Sequence, residues 1–404
     1  MTAADVKATY EAVLDPTTGS PRRGALAAVE HIETPDAFTV IFHLRRPFPP
    51  FLDATGLGIV PARLATGHGE IRVGAGPFLV DGVDPGQRIV LRPNPGWPGP
   101  PPRLDPLVLR IVPDPLVRAL ELKRGGISLS QDPPEPELLD WLAQDARLQV
   151  RRRPGSSFAY LALNLRDPRL ARPAVRRALA MALDRETLLA TVLGGAGRPA
   201  TGLLAPEHWA YTPVRLPRHD PQRAARLLDR TGFRDPDGAG PQARFRLVYK
   251  TSSLPVRRRL AEAIQAQLAA VGIAVDVRTQ EWATLYADVR AGRFEIAPMT
   301  WVGVTDPDLY FLTLHSTMTP PAGYNRGAYA SRVMDRLTER ARYEPRPARR
   351  RQLYARIQRR AARDLPVVPL WWEDRIVVQT ARLRGFEPTA SGDLYTLARA
   401  WLAP

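Results

Sequence analysis

Residues 245–301, FRLVYKTSSLPVRRRLAEAIQAQLAAVGIAVDVRTQEWATLYADVRAGRFEIAPMTW, decide the fold class. FRLVYK alternates as a strand. PVRRRLAEAIQAQLAAV then carries Val256, Leu260, Ile264 and Leu268 at the i, i+4 spacing of one helix face, and Gly272 closes it. IAVDVRT is a second strand, WATLYADVRAG a second helix and FEIAPMTWV a third strand. The β-α-β-α-β order implies parallel strands joined by right-handed crossovers. Ligands in open α/β sheets collect beyond the carboxyl ends of such strands, where Trp301–Asp308 (WVGVTDPD) lies.

Working outward from this block, MTAADVKATYEAVL reads as a helix with a capping box of Thr2 and Asp5 and an apolar stripe of Val6, Tyr10, Val13 and Leu14. It lacks the basic start and apolar core of a secretion signal. LAAVEHIETPDAFTVIFHL reads as two strands about a Pro-Asp turn, and residues 74–97 as two more about an Asp-Pro-Gly turn. The strand LVLRIV and the helix LVRALELKRG follow, the latter closed by Gly125 and Gly126. SFAYLALNL is a strand, and RPAVRRALAMALDRETLLATVL is predicted as one helix with Val175, Leu179 and Leu183 in register. A helix over 221–229, another over 346–363, the apolar run VVPLWW and the strand RIVVQT complete the reading.

At 404 residues, 44% apolar and 24% charged, the chain has material for two or more domains. Its longest apolar runs are far too short to span a bilayer. It has no cysteine, which removes disulfides and thiolate chemistry. The six histidines (His31, His43, His68, His208, His219, His315) are scattered and stand at neither the i, i+4 nor the C-x-x-C type of metal-binding spacing, so no metal site or cofactor is expected. The net charge of +16 raises a nucleic-acid reading, but only Lys7, Lys123 and Lys250 among the 57 basic residues are lysine. An arginine excess of this kind matches codon bias spread over the surface better than a local patch. The clusters at 151–153, 257–259 and 349–351 have no interleaved aromatics, so they read as solvated faces.

Catalytic signatures are sparse. Neither a G-x-S-x-G elbow nor HExxH occurs. Gly195-Ala-Gly197 with Ala200 spells a dinucleotide string, but it follows a helix and contains Pro199. Asp235, Asp237 and Gly238 resemble the start of a calcium loop without its later acid, and read as a turn. Asp306 and Asp308 flank Pro307 with no partner base nearby, so an enzyme is not expected. What remains is aromatic: Trp301, Tyr310, Tyr324, Trp371 and Trp372, suited to a cleft or to core packing.

The order of segments carries a resemblance. GAGPFLVDGVDPGQRIVLRPNPGW, RPAVRRALAMALDRETL, HDPQRAARLLDRTGF with DPDG, the block ending in TWVGVTDPD, YNRGAYASRVMDRL and DLPVVPLWWEDRIVV follow one another over essentially the whole chain. The run resembles the family 5 extracellular solute-binding proteins, the peptide-, oligopeptide- and nickel-binding receptors of ABC transporters. The resemblance implies an α/β, two-lobed periplasmic-binding-protein-like fold with a hinge and an interlobe ligand cleft. It implies a first lobe incomplete at the N-terminus, because relatives carry a signal peptide and further sequence before the segment like MTAADVKATYEAVL. The implied lobes are 1–157 for the first (1–73 an inserted subdomain, 74–157 a sheet subdomain), 158–369 for the second and 370–404 returning to the first.

The implied function is capture of a peptide or similar small solute, without catalysis, and its delivery to membrane permease subunits. The expected state is a periplasmic or extracytoplasmic monomer that binds no nucleic acid. A nickel chelate, an opine or a sugar are alternative ligands within the family, and a basic nucleic-acid-binding protein is the alternative of another class. Carried onto this sequence, the resemblance makes Trp301 a cleft-lining aromatic and Gly303 and Asp306 part of a ligand-contacting loop, with Tyr160, Tyr324, Asn325 and Trp371 as further binding residues. Peptide receptors of the family often hold a carboxylate in that loop for the ligand's α-ammonium. Here the positions read Val302-Gly303-Val304-Thr305, so the carboxylate is missing or replaced by Asp306.

Overall fold

The computed structural model describes residues 1–20, 22–65, 74–131, 136–238 and 240–404; His68 lies outside them. The chain divides into two compact units, one of Met1–Arg153 with Arg375–Pro404 and one of Pro154–Asp374. No helix among the described residues is long and apolar enough to cross a membrane.

The first unit opens with α1 (Ala3–Leu14), whose Thr2 and Asp5 form the expected capping box. β1 (Val29–Glu33) and β2 (Ile41–Leu44) make an antiparallel pair with His31 opposite His43, and the short α2 (Phe51–Ala54) follows. β3 (Phe78–Asp84), β4 (Arg88–Pro93) and β5 (Leu107–Arg110) form a three-stranded antiparallel sheet. α3 (Pro115–Arg124) starts on the side chain of Asp114, which accepts the Val117 N–H, and ends at Gly125 in the left-handed region. β6 (Leu129–Ser130) and α4 (Pro136–Ala143) come next, and Leu122 of α3 and Leu142 of α4 share a small core.

β7 (Leu148–Leu163) carries the chain into the second unit and extends well upstream of the SFAYLALNL reading. The predicted single helix over 172–193 is two: α5 (Pro173–Ala182) and α6 (Arg185–Leu193). The break falls at Asp184, whose carboxylate accepts the N–H of Thr187 at 3.0 Å and its hydroxyl at 2.7 Å. An aspartate that can cap competes with helix continuation at that point. β8 (Gly197–Pro199) and α7 (Pro221–Arg230) follow.

The opening stretch folds as read, with β9 (Phe245–Ser252), α8 (Pro255–Ala269), β10 (Ile273–Gln280), α9 (Trp282–Arg290) and β11 (Ile296–Trp301). β10 and β11 both run parallel to β9, and β11 pairs antiparallel with β7. α10 (Leu309–Leu314), α11 (Arg332–Tyr343) and α12 (Pro347–Asp364) lead to β12 (Val367–Thr380), one continuous strand where two segments were read. The sheet of this unit runs β10-β9-β11-β7-β12, with β8 on β12. Leu247, Leu260, Ile264 and Leu179 pack on one face, and Leu285, Val289, Met334 and Ile357 on the other. Helices therefore cover both faces, which is why the strands read as apolar runs. β13 (Leu383–Arg384) and β14 (Trp401–Leu402) pair in the first unit, and Leu383 packs with Phe386 and Leu397.

Candidate ligand-binding site

Directly paired residues of adjacent strands share a face. The β11–β7 register puts Trp301 opposite Phe158 and Met299 opposite Tyr160. These side chains, with Tyr310 from α10, belong to the second face of the sheet. A cavity of about 60 Å³ opens there, lined among others by Phe158, Tyr160, Trp301, Tyr310, Tyr324 and Arg326. That volume admits a few waters or one side chain, so it is a subsite rather than room for a whole peptide.

A loop from α10 to α11 brings the charged wall. Asn325 holds it: its amide donates to the carbonyls of His315 at 3.1 Å and Tyr329 at 2.7 Å, and accepts the Tyr329 N–H at 2.9 Å. Gly327 presses against the end of β7, where an added Cβ would lie 2.2 Å from the Leu163 carbonyl oxygen. Between them, Arg326 is 7% exposed. Its guanidinium sits 4.8 Å from the Trp301 ring centre, 5.5 Å from Tyr286 and 5.8 Å from Tyr324. Nη1 donates to the Tyr160 hydroxyl at 2.9 Å, whereas Nε has no partner. No carboxylate among the described residues pairs with this arginine. A buried guanidinium held by π faces and one hydroxyl retains a strong preference for an oxygen acceptor.

The sequence-predicted residues fall into distinct places. Trp301, Tyr160, Tyr324 and Asn325 line the cavity, and Trp301 meets Tyr324 edge-on at 5.1 Å. Tyr160 is buried, which pushes its phenol up, and Asn325 spends its amide on the loop. Gly303, at φ +64°, turns the chain after Trp301 in a conformation that glycine adopts freely. Asp306 points to Arg350, whose Nη2 donates to both carboxylate oxygens at 2.8 and 3.1 Å, and it also accepts the Asp308 N–H at 2.7 Å. It is thus already occupied. Trp371 is 1% exposed within the core on the first face and does not line this cavity.

Asp308 is buried too, 3.3 Å from Arg342. Burial outweighs that guanidinium, and with the neighbouring charge of Asp306 pushes the carboxyl up to about 6. Arg326 and Tyr286 were not singled out from sequence. The available signal was an arginine directly after Tyr324-Asn325, in a loop (315–331) with no other Arg, Lys, Asp or Glu.

Known proteins bear on this arrangement. The pattern of the bacterial extracellular solute-binding proteins, family 5, in its middle region, matches residues 1–322. Di/tripeptide-binding protein 2 of Pseudomonas aeruginosa (strain UCBPP-PA14) is 30% identical over 396 residues, 91% of this chain and 73% of that protein. The oligopeptide-binding protein AppA of Bacillus subtilis, solved with a nonapeptide, superposes with a TM-score of 0.87 at 24% identity, over 100% of this chain and 84% of that one. NikZ of Campylobacter jejuni, solved with Ni(L-His), superposes with a TM-score of 0.88 at 22% identity, over 99% of this chain and 84% of its own.

Proposed function

Because the chain belongs to the bacterial extracellular solute-binding proteins of family 5, we propose that it is the solute receptor of an ABC importer, taking a peptide or a peptide-like small solute. In this reading it works outside the cytoplasm as a monomer, hands its ligand to membrane permease subunits and makes or breaks no covalent bond. The relative named a di/tripeptide-binding protein favours short peptides over the other ligands of the fold. The observation that carries the reading is the Arg326 subsite, where a buried cation among Trp301, Tyr324 and Tyr286 adjoins a narrow, mostly apolar cavity. A peptide supplies both halves of the match, an apolar or aromatic side chain and carbonyl or carboxylate oxygens. Asp306 is already engaged by Arg350 and by the Asp308 N–H, so in this reading recognition centres on the ligand's oxygens.

Thermal unfolding with defined di- and tripeptides tests the proposal. A ligand at 100 times its Kd adds about 2.7 kcal/mol of stability to the native state. A matching peptide therefore raises Tm, and Trp301→Ala removes the rise. An undiminished shift in that variant excludes Trp301 from the site. If no peptide shifts Tm while DNA or RNA binds with affinity falling steeply against log salt, the chain is a nucleic-acid binder instead.

A further inference from the structure

The β1–β2 pair in the first unit brings together three side chains that the sequence leaves apart. His31 and Glu33 are two residues apart on β1 and so project from the same face, and His43 of β2 lies directly across from His31. The two imidazoles stack with centres 4.0 Å apart and planes 7° from parallel. Both direct Nε2 at one oxygen: Glu33 Oε1 is 3.2 Å from His31 and 3.3 Å from His43. One donor atom from each of the three residues lies within 4.8 Å of the others.

Zinc bonds to nitrogen and oxygen are about 2.0–2.2 Å, so tetrahedral neighbours around the ion stand about 3.3 Å apart. The two nitrogen–oxygen spacings already have that length. Nε2 of His43 is shielded from solvent and makes no well-formed hydrogen bond.

We propose that His31, Glu33 and His43 form a binding site for a divalent transition-metal ion of the Zn2+, Ni2+ and Cu2+ class, with solvent completing the coordination. Two imidazoles and a carboxylate suit these ions and leave an open position. The competing reading is a plain surface ion pair between histidine and Glu33, which solvent screens at such exposure. The site lies in the first unit and the Arg326 cavity in the second, so neither assignment rests on the other.

The test uses untagged, metal-free, full-length protein titrated with ZnCl2 in a weakly coordinating buffer, with Cu2+ electron paramagnetic resonance as a second readout. The site predicts one saturable Zn2+ per chain and a Cu2+ spectrum with coupling to two nitrogens. Both are lost in the His31→Ala/His43→Ala double variant, and Zn2+ affinity falls at least tenfold in Glu33→Gln. Unchanged stoichiometry and affinity in the double variant, or no saturable uptake by the wild type, would overturn the assignment. Glu33→Gln keeps the side-chain shape while removing the charge, so it decides the matter even if the histidine variants misfold.

Discussion

The guanidinium of Arg326 lies 4.8 Å from the centre of the Trp301 ring, although the two residues belong to different elements. Neither residue alone defines a site; together they offer an apolar plane and a desolvated charge. Arg326→Gln is expected to weaken peptide binding by about 10- to 100-fold, the scale of a hydrogen bond to a charged group. Arg326→Lys retains the charge but not the fork, and falls between. Calorimetry with a peptide acid and its C-terminal amide identifies the group recognised. If the carboxylate is the partner, the amide binds weakly to the wild type and equally weakly to Arg326→Gln.

Asn325 tests whether the loop or the ligand needs its amide. Its three hydrogen bonds to His315 and Tyr329 are all with the backbone, and the side chain is 2% exposed. Asn325→Ala strands buried backbone groups and should cost about 2–3 kcal/mol by chemical denaturation. Asn325→Asp is no rescue, because a carboxylate cannot donate to the two carbonyls. A variant of full stability with lost binding would instead make Asn325 a direct ligand contact.

The sequence reading succeeded where periodicity is clean and failed where a side chain's partner is distant. The block from Phe245 to Trp301 was legible because Leu260, Ile264 and Leu268 mark a helix between apolar strands. The phase of β12 was not, since consecutive residues from Val368 to Trp372 are all buried and no polar alternation tells one face from the other. Trp371, which the resemblance made a binding residue, is buried in the core on the first face. Arg326 gains its meaning only from the Asn325 staple that carries it over Trp301. The His31–Glu33–His43 cluster is not legible as a local motif because its spacing is that of a strand plus one cross-strand step.

Asp308 sets a pH dependence. Its carboxyl is raised from 3.8 to about 6 in the folded chain, chiefly by burial. The folded state thus holds this proton more tightly than the unfolded one, so the associated stability is full below about pH 3.8 and is lost as pH rises through about 6. Asp308→Asn removes the titration. The stability of the wild type relative to this variant should therefore decline between pH 4 and pH 7, by up to about 3 kcal/mol. Urea melts at four pH values across that range measure it, and a rising difference would contradict the assignment.

Arg176 closes the end of α12 and offers the sharpest test of the fold. It is 3% exposed and donates only to backbone carbonyls: Nε to Leu365 at 2.8 Å and Asp364 at 3.1 Å, Nη1 to Leu170 and Ala171 at 2.8 Å each, and Nη2 to Asp364 at 2.6 Å. A helix ends with unpaired carbonyls and a partial negative charge, and a guanidinium satisfies both. The left-handed Leu365, at φ +47°, aims two of these carbonyls at the fork. Arg176→Met keeps the apolar stem but leaves four carbonyls without this donor, at about 3 kcal/mol or more. Arg176→Lys restores the charge on a single nitrogen that cannot span the four oxygens, so it should recover less than half of the loss. If both variants unfold at the wild-type urea midpoint, water has replaced the guanidinium and the cap contributes nothing to stability.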